Sequence, residues 1–229
     1  MTPIALSALV ILTALFATAC SLFGWDTAFL VAKPLPMALA VLLLATGKGG
    51  DRTARRLLTL AMAAALAGDV LLMVPGGFMA GLIAFLGTHC CYLALFRRGV
   101  GWFPSKPAAA AVLAVAGLVL AWEFPMLPGA LRLPVGVYTT VIALMVSQAI
   151  GRAIRLRTLD AGLTAASAAL FMASDTMISI NRFVAPFRLA GFAIMATYYL
   201  GQILILRHAL RDATTVANST GDDPAPIRL

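Results

Sequence analysis

Two aspartates stand inside long runs of apolar residues. Asp69 lies in segment 66–73, and Asp175 lies in segment 169–183, which continues a run of apolar and small residues that begins at Ala161. A carboxylate in such a run costs about a few kcal/mol on membrane-insertion scales, so it normally faces a protein interior and serves a function. Two carboxyls that share a poorly hydrated pocket adopt different protonation states, which provides an acid and a base at neutral pH. We therefore predict that Asp69 and Asp175 are partners at one site.

The composition is that of an integral membrane protein. Of the 229 residues, 62% are hydrophobic and 11% are charged, with a mean hydropathy of +0.97, whereas a soluble domain has about 25% charged residues. The net charge of +8 does not indicate a nucleic-acid partner, because the basic residues form short clusters between apolar runs. We predict no nucleic-acid binding.

Several chemistries are excluded by what the chain lacks. It has two histidines and three cysteines, and none of them has the spacing of a zinc site. There is no GxSxG nucleophile elbow and no glycine-rich phosphate loop. A zinc hydrolase, a serine hydrolase of the GxSxG type and a P-loop enzyme are therefore not expected.

Apolar runs bounded by charge, proline or glycine predict an all-α, polytopic fold, an eight-helix transmembrane bundle. The predicted spans cover approximately residues 4–23, 28–46, 57–74, 78–96, 107–122, 131–150, 161–181 and 187–206. Residues 1–210 would form the transmembrane domain. Residues 211–229 are polar and are predicted to be a disordered cytoplasmic tail.

The distribution of basic residues predicts the orientation of the bundle. With eight spans, 13 of the 17 lysines and arginines lie on one side of the membrane, in the loops after spans two, four and six and in the tail. The positive-inside rule then places both termini in the cytoplasm. We expect a multi-pass protein of a bacterial cytoplasmic (inner) membrane.

Three ionisable groups on three spans lie at one predicted depth. At 1.5 Å per residue, Lys33, Asp69 and Asp175 each lie about 7 to 9 Å inside the outer end of their helix. In the functional interpretation, Lys33 keeps one carboxyl of the pair ionised. In the structural alternative, Lys33 and one aspartate form an ion pair that only holds helices together.

Further polar residues point toward the same interior. Asp175, Ile178, Ser179 and Arg182 share one helical face. Arg182, two turns outward of Asp175, is suited to bind a phosphate, or it is a flanking residue that reaches the interface. The other candidates, which are alternatively ordinary interhelical hydrogen-bond partners, are His89, Tyr92, Tyr138, Tyr198 and Gln202.

Motifs spread over most of the membrane part are similar to those of one known family, the lysoplasmalogenase (YhhN, or TMEM86-like) family of eight-span membrane proteins. In chain order they are Lys33-Pro34-Leu35-Pro36-Met37, Gly68-Asp69 with Leu71 and Leu72, Gly81-Leu82 with Phe85, His89 and Tyr92, Leu170-Phe171 with Ser174-Asp175, Arg182-Phe183, and Thr197-Tyr198-Tyr199 with Gln202. The resemblance implies hydrolysis of the vinyl-ether bond of lysoplasmalogen, a lysophospholipid bound within the bilayer, by a reaction that requires no metal or organic cofactor. Asp69 and Asp175 would then be the catalytic pair, while Lys33 tunes that pair or holds the phosphate. His89, Tyr92, Tyr138, Arg182, Tyr198 and Gln202 would form the surrounding substrate site.

Two rival interpretations use the same residues. A carboxylate pair with a lysine also describes a proton-coupled carrier of a small molecule or lipid, and a polar plug describes a structural or sensory bundle. A pocket that opens to one leaflet and is closed toward the other favours the hydrolase. A water path that reaches both faces favours the carrier.

Overall fold

The computed structural model describes residues 3–47 and 51–220, and it describes the backbone alone for residues 3, 209, 210 and 212–220. Within these ranges the regular elements are all helical. The α-helices are α1 Pro3–Phe23, α2 Asp26–Ala32, α3 Leu35–Thr46, α4 Arg52–Met73, α5 Phe78–Arg97, α6 Lys106–Glu123, α7 Gly129–Leu156, α8 Leu159–Ser179 and α9 Ala190–Thr220.

Eight stretches of the described chain are long and apolar enough to cross a membrane, which confirms the predicted eight-span fold. They are Ile4–Phe23, Asp26–Thr46, Arg52–Met73, Phe78–Arg97, Lys106–Met126, Gly129–Leu156, Leu159–Val184 and Ala190–His208. The orientation of the termini stays a prediction.

The second span is broken beside Lys33. Proline has no backbone N–H, so Pro34 and Pro36 cannot donate to the carbonyls four residues earlier, and α2 and α3 meet at this point as separate helices. The hydroxyl of Tyr199 on α9 donates to the carbonyl oxygen of Lys33 at 2.8 Å. A carbonyl group at the break is therefore hydrogen-bonded by a side chain from a helix that is distant in the sequence.

Seven of the spans pack into a closed ring. Its circular order is α1, α3, α4, α5, α7, α8, α9 and back to α1. Helix α6 lies outside this ring and packs mainly against α7. Its peripheral position agrees with its alanine-rich sequence, since few of its side chains fill the core.

Helix α9 is longer than the last predicted span. It continues to Thr220, so the backbone is helical over residues 212–220, which composition predicts to be disordered. An uninterrupted helix adds one backbone hydrogen bond for each residue, and segment 206–220 contains neither proline nor glycine to end it. The rest of the predicted tail, residues 221–229, lies outside the described residues, as does Lys48 of the first basic loop.

The up-and-down order gives the bundle two chemically different ends. Helices α4, α6 and α8 end, and α5, α7 and α9 begin, at the end that we call the site end. The opposite end carries the predicted basic loops, and there Gln148 holds the loop after α5 by donating to the carbonyl of Gly101 at 2.8 Å.

Candidate active site

A largely apolar cavity opens between α5, α6, α7 and α8 in the half of the bundle nearest the site end. It contains about 720 Å³ of space not filled by protein atoms, including space open to the surroundings. The residues around it are Leu72, Phe78, Leu82, Phe85, Ala116, Val119, Glu123, Val135, Tyr138, Thr139, Ile142, Met172, Asp175, Thr176, Ile178, Ser179 and Phe183. Asp175, Ile178 and Ser179, predicted to share one helical face, all lie on its wall.

Asp175 is held by hydrogen-bonding side chains from two other helices. The Tyr138 hydroxyl, from α7, donates to Oδ2 of Asp175. Nε2 of His89, from α5, lies 3.2 Å from the same oxygen and 2.8 Å from the Tyr138 hydroxyl oxygen. The His89 nitrogen, the Tyr138 hydroxyl oxygen and Oδ2 of Asp175 are therefore all within hydrogen-bonding distance of one another. In the described part of the chain, both of these hydrogen bonds go to Oδ2, and Oδ1 of Asp175 makes none.

Asp69 lies in a second polar cluster that is sealed from this cavity. Its side chain is 2% exposed, and it is not among the residues around the cavity. The Tyr198 hydroxyl donates to Oδ2 of Asp69 at 2.7 Å, and the Lys33 ammonium lies 3.9 Å from Oδ1. Of the two aspartates, Asp69 is therefore the one that pairs with Lys33.

An aromatic wall separates the two clusters. Phe85 and Phe171 meet edge to face with their ring centroids 6.1 Å apart. Tyr198 packs against both rings, at 6.0 and 5.4 Å, and the His89 ring packs against Phe171 at 4.9 Å. Asp69 contacts this layer of rings through Tyr198, whereas Asp175 contacts it through His89.

Tyr92 and Gln202 are placed in the packed interior, away from the cavity. The Tyr92 hydroxyl donates to Oε1 of Gln202, and both residues are 0% exposed. The Tyr92 ring packs against Phe171 of the aromatic wall at 6.3 Å. Tyr92 and Gln202, which were predicted to bind substrate, therefore pack behind the aromatic wall and do not line the cavity.

Arg182 is exposed at the rim of the cavity. Its guanidinium carbon lies 4.4 Å from the centroid of Phe78, which lines the cavity. The residue belongs to a π-helical turn, Ile180–Val184, that follows α8. Such turns occur frequently at functional sites, and this one places a cation beside a ring that lines the cavity.

Glu123 was missed by the sequence reasoning. The predicted fifth span stopped at residue 122 because a carboxylate normally marks the end of an apolar run. In the structure α6 includes Glu123, which is 3% exposed and lines the cavity. The sequence carried no clear signal for this residue, because a charged residue after an apolar run is the usual sign of a span boundary.

Comparison with known families gives one matching family model. The YhhN family model covers residues 28–209. That range contains every side chain of the two polar clusters and of the cavity.

Named relatives have substantial identity with the chain. It is 32% identical to lysoplasmalogenase TMEM86B of Sus scrofa over 186 residues, which cover 80% of the chain and 74% of that relative. It is 35% identical to lysoplasmalogenase TMEM86A of Homo sapiens over 146 residues, 62% of the chain and 59% of the relative. It is 37% identical to a lysoplasmalogenase of Mycobacterium bovis over 160 residues, 66% of the chain and 59% of the relative. No solved structure matches the chain.

Proposed function

The chain belongs to the YhhN family, and on this premise we propose that it is a membrane-embedded hydrolase of lysoplasmalogen. The reaction adds water across the vinyl-ether linkage of this single-chain lipid and yields a fatty aldehyde and glycerophosphoethanolamine or glycerophosphocholine. The names of the relatives support this reaction class. The observation that carries the proposal is Asp175, a carboxyl with one uncommitted oxygen on the wall of an apolar cavity.

The reaction begins with a proton transfer that suits Asp175. A vinyl ether is hydrolysed when its β-carbon accepts a proton, and the carbon next to the ether oxygen then becomes part of an oxocarbenium ion. Water adds to that carbon and loses a proton, and the resulting hemiacetal separates into an aldehyde and an alcohol. A positioned carboxylic acid accelerates such a step by about 10² to 10⁴. Asp175 is assigned as the proton donor because, of the two aspartates, it alone lines the cavity.

Asp69 is proposed to act as the second carboxyl, through its charge. Glycoside hydrolysis, which passes through a similar cation, likewise uses a pair of carboxyl groups. A charge in a site of low dielectric acts over longer distances than in water, so Asp69 can stabilise the cation from behind the Phe85 and Phe171 rings. Lys33 and Tyr198 are positioning residues that hold this carboxylate in place.

The remaining groups are assigned to lipid binding. The apolar walls accept the alkenyl chain, which enters sideways from the bilayer, and Arg182 binds the phosphate at the rim. His89 and Tyr138 orient the carboxyl of Asp175 and exchange protons with it. The protein would act in a bacterial cytoplasmic membrane with both termini in the cytoplasm, so that the site lies near the outer surface.

The broken second span is the observation that favours the rival carrier function, since carriers use interrupted helices at their binding sites. Against this, the residues around the described cavity all lie in the half of their helices nearest the site end. The sixth span also contains a proline, Pro134, which could have interrupted it. Helix α7 nevertheless continues from Gly129 to Leu156. A pocket closed toward one side is expected of the hydrolase.

The decisive experiment compares two lipids of equal chain length. Purified protein is incubated with lysoplasmalogen and with an acyl lysolipid, and released aldehyde is trapped and quantified. Aldehyde from the first lipid and no product from the second supports the vinyl-ether hydrolase. Absence of product from both, together with uptake of labelled lysolipid into proteoliposomes, would instead support the carrier.

A further inference from the structure

The cavity has a second carboxyl, for which neither the catalytic pair nor the head-group site gives a role. Glu123 is the only glutamate of the chain, and it lies at the end of the peripheral helix α6. It is 3% exposed, yet it lines the cavity. The hydroxyl of Ser179 donates to Oε2 of Glu123 at 2.6 Å. A carboxylate accepts about four hydrogen bonds, and this is the one hydrogen bond described for the Glu123 side chain.

The position of Ser179 relates Glu123 to the proposed proton donor. Ser179 follows Asp175 by four residues on α8, which is about one helical turn, or roughly 6 Å, toward the site end. Both residues line the same cavity. The carboxylate of Glu123 therefore lies about one turn from Asp175, in the direction of the membrane surface.

That spacing matches the chemistry of the substrate named in the proposed function, on which this inference rests. In a lysoplasmalogen the carbon beside the ether-bearing carbon of glycerol carries a free hydroxyl group. About five bonds separate the protonated β-carbon from that hydroxyl oxygen, a reach of roughly 6 Å in an extended chain. With the β-carbon at Asp175 and the head group at the rim, the hydroxyl lies at the level of Glu123.

We propose that Glu123, held by Ser179, accepts a hydrogen bond from the free 2-hydroxyl and thereby restricts the enzyme to single-chain lipids. A two-chain lipid has an ester at this position, which has no hydrogen to donate. Its binding removes water from the Glu123 carboxylate without supplying a partner. A buried site built to bind a substrate hydroxyl rejects the analogue that lacks it by about 10⁴ to 10⁵ in favourable cases.

The test compares lysoplasmalogen with its 2-deoxy analogue, which has the same alkenyl chain and head group and hydrogen in place of the hydroxyl. For the wild type, kcat/KM for lysoplasmalogen is expected to exceed that for the analogue by at least about 100-fold. In Glu123→Ala the two values are expected to agree within about threefold, because activity toward lysoplasmalogen falls and activity toward the analogue does not. Ser179→Ala should reduce the ratio less, since it leaves the carboxylate in place.

Ser167→Ala is the matched control on the same helix, because that hydroxyl donates to the carbonyl of Leu163 within α8. It should leave the substrate ratio unchanged. If Glu123 only ties α6 to α8, Glu123→Ala lowers both activities equally, and that result overturns the inference. A wild-type ratio near one overturns it as well, and this measurement does not depend on whether the variants fold. In either case aldehyde release persists, whereas failure of the proposed function itself appears as no aldehyde from either vinyl ether.

Discussion

Asp69 and Asp175 occupy similar depths on helices that run in the same direction, but their surroundings differ. Asp175 lines the cavity and contacts a tyrosine hydroxyl and an imidazole. Asp69 is sealed behind aromatic rings and has Lys33 as its cationic partner. A carboxyl that borders open space can contact a ligand directly, whereas one that is buried against Lys33 and Tyr198 cannot. Residue type and depth alone therefore do not assign a role.

Asp175→Asn is expected to cause the greatest loss of activity. An amide cannot donate a proton from the position of the carboxyl, so aldehyde release from lysoplasmalogen should fall by about 10³-fold or more. The protein should still elute as a folded species in detergent, since asparagine keeps the volume and accepts from Tyr138. Asp160→Asn is the matched control, at the other end of α8, where Asp160 pairs with His208. Retention of most activity in Asp175→Asn would refute the assignment.

Asp69→Asn should have two separable effects. Aldehyde release is expected to fall by about 10²-fold, and thermal stability in detergent should also fall, because Lys33 loses its carboxylate. Removing one partner of a buried ion pair costs about 3–5 kcal/mol. Lys33→Met added to Asp69→Asn should restore the melting temperature but not the activity. If the double variant regains activity, Asp69 has only a structural role and Asp175 is the only catalytic aspartate of the two.

Gly68→Ala tests the wall between the two aspartates. A Cβ at Gly68 would lie 2.6 Å from two ring carbons of Phe85, so the ring must move. Overpacking of this kind costs about 1–3 kcal/mol, and aldehyde release should fall several-fold with the displaced wall. Gly87→Ala is the matched control, because its Cβ would meet Ala64 at an ordinary 3.8 Å. Equal melting temperatures for the two variants would show that the packing of Phe85 is not tight.

The mildest change is expected at Asp51, an aspartate outside the membrane spans that serves as a reference for the other two. Partial burial raises the pKa of Asp51, but hydrogen bonds from the backbone N–H of Ala54 and from Arg98 outweigh this, so that its pKa lies below the ordinary value. The unfolded chain then takes up a proton at higher pH than the folded one. The stabilisation is therefore complete above the unfolded pKa of about 4 and is lost as the pH falls through the lower, folded pKa.

Asp51→Asn should lower the melting temperature slightly and equally between about pH 7 and pH 5, with a difference from wild type that shrinks as the pH falls below about 4. The exposed Asp26 provides the control substitution, Asp26→Asn. A difference that grows on acidification would contradict a lowered pKa for Asp51 in the folded protein.

The part of the site that could be predicted was the part that depends on local sequence. Asp69, Asp175 and Lys33 were detectable because an ionisable side chain in an apolar run is unfavourable wherever the run packs. Glu123 was missed because a carboxylate at the end of a run is indistinguishable from an ordinary boundary. Its hydrogen-bond partner in the folded protein, Ser179, is 56 residues away in the sequence.

The eight membrane crossings and the depths of Lys33, Asp69 and Asp175 follow from the sequence without any tertiary contact, because hydropathy and rise per residue act along one helix at a time. Packing in three dimensions was needed to establish which aspartate faces the cavity, that Lys33 pairs with Asp69, and that Tyr92 and Gln202 lie behind the wall. These outcomes depend on the rotation of each helix about its axis and on the order of helices around the ring. Contacts between distant residues determine both, as in the hydrogen bond between Asp69 and Tyr198, 129 positions apart.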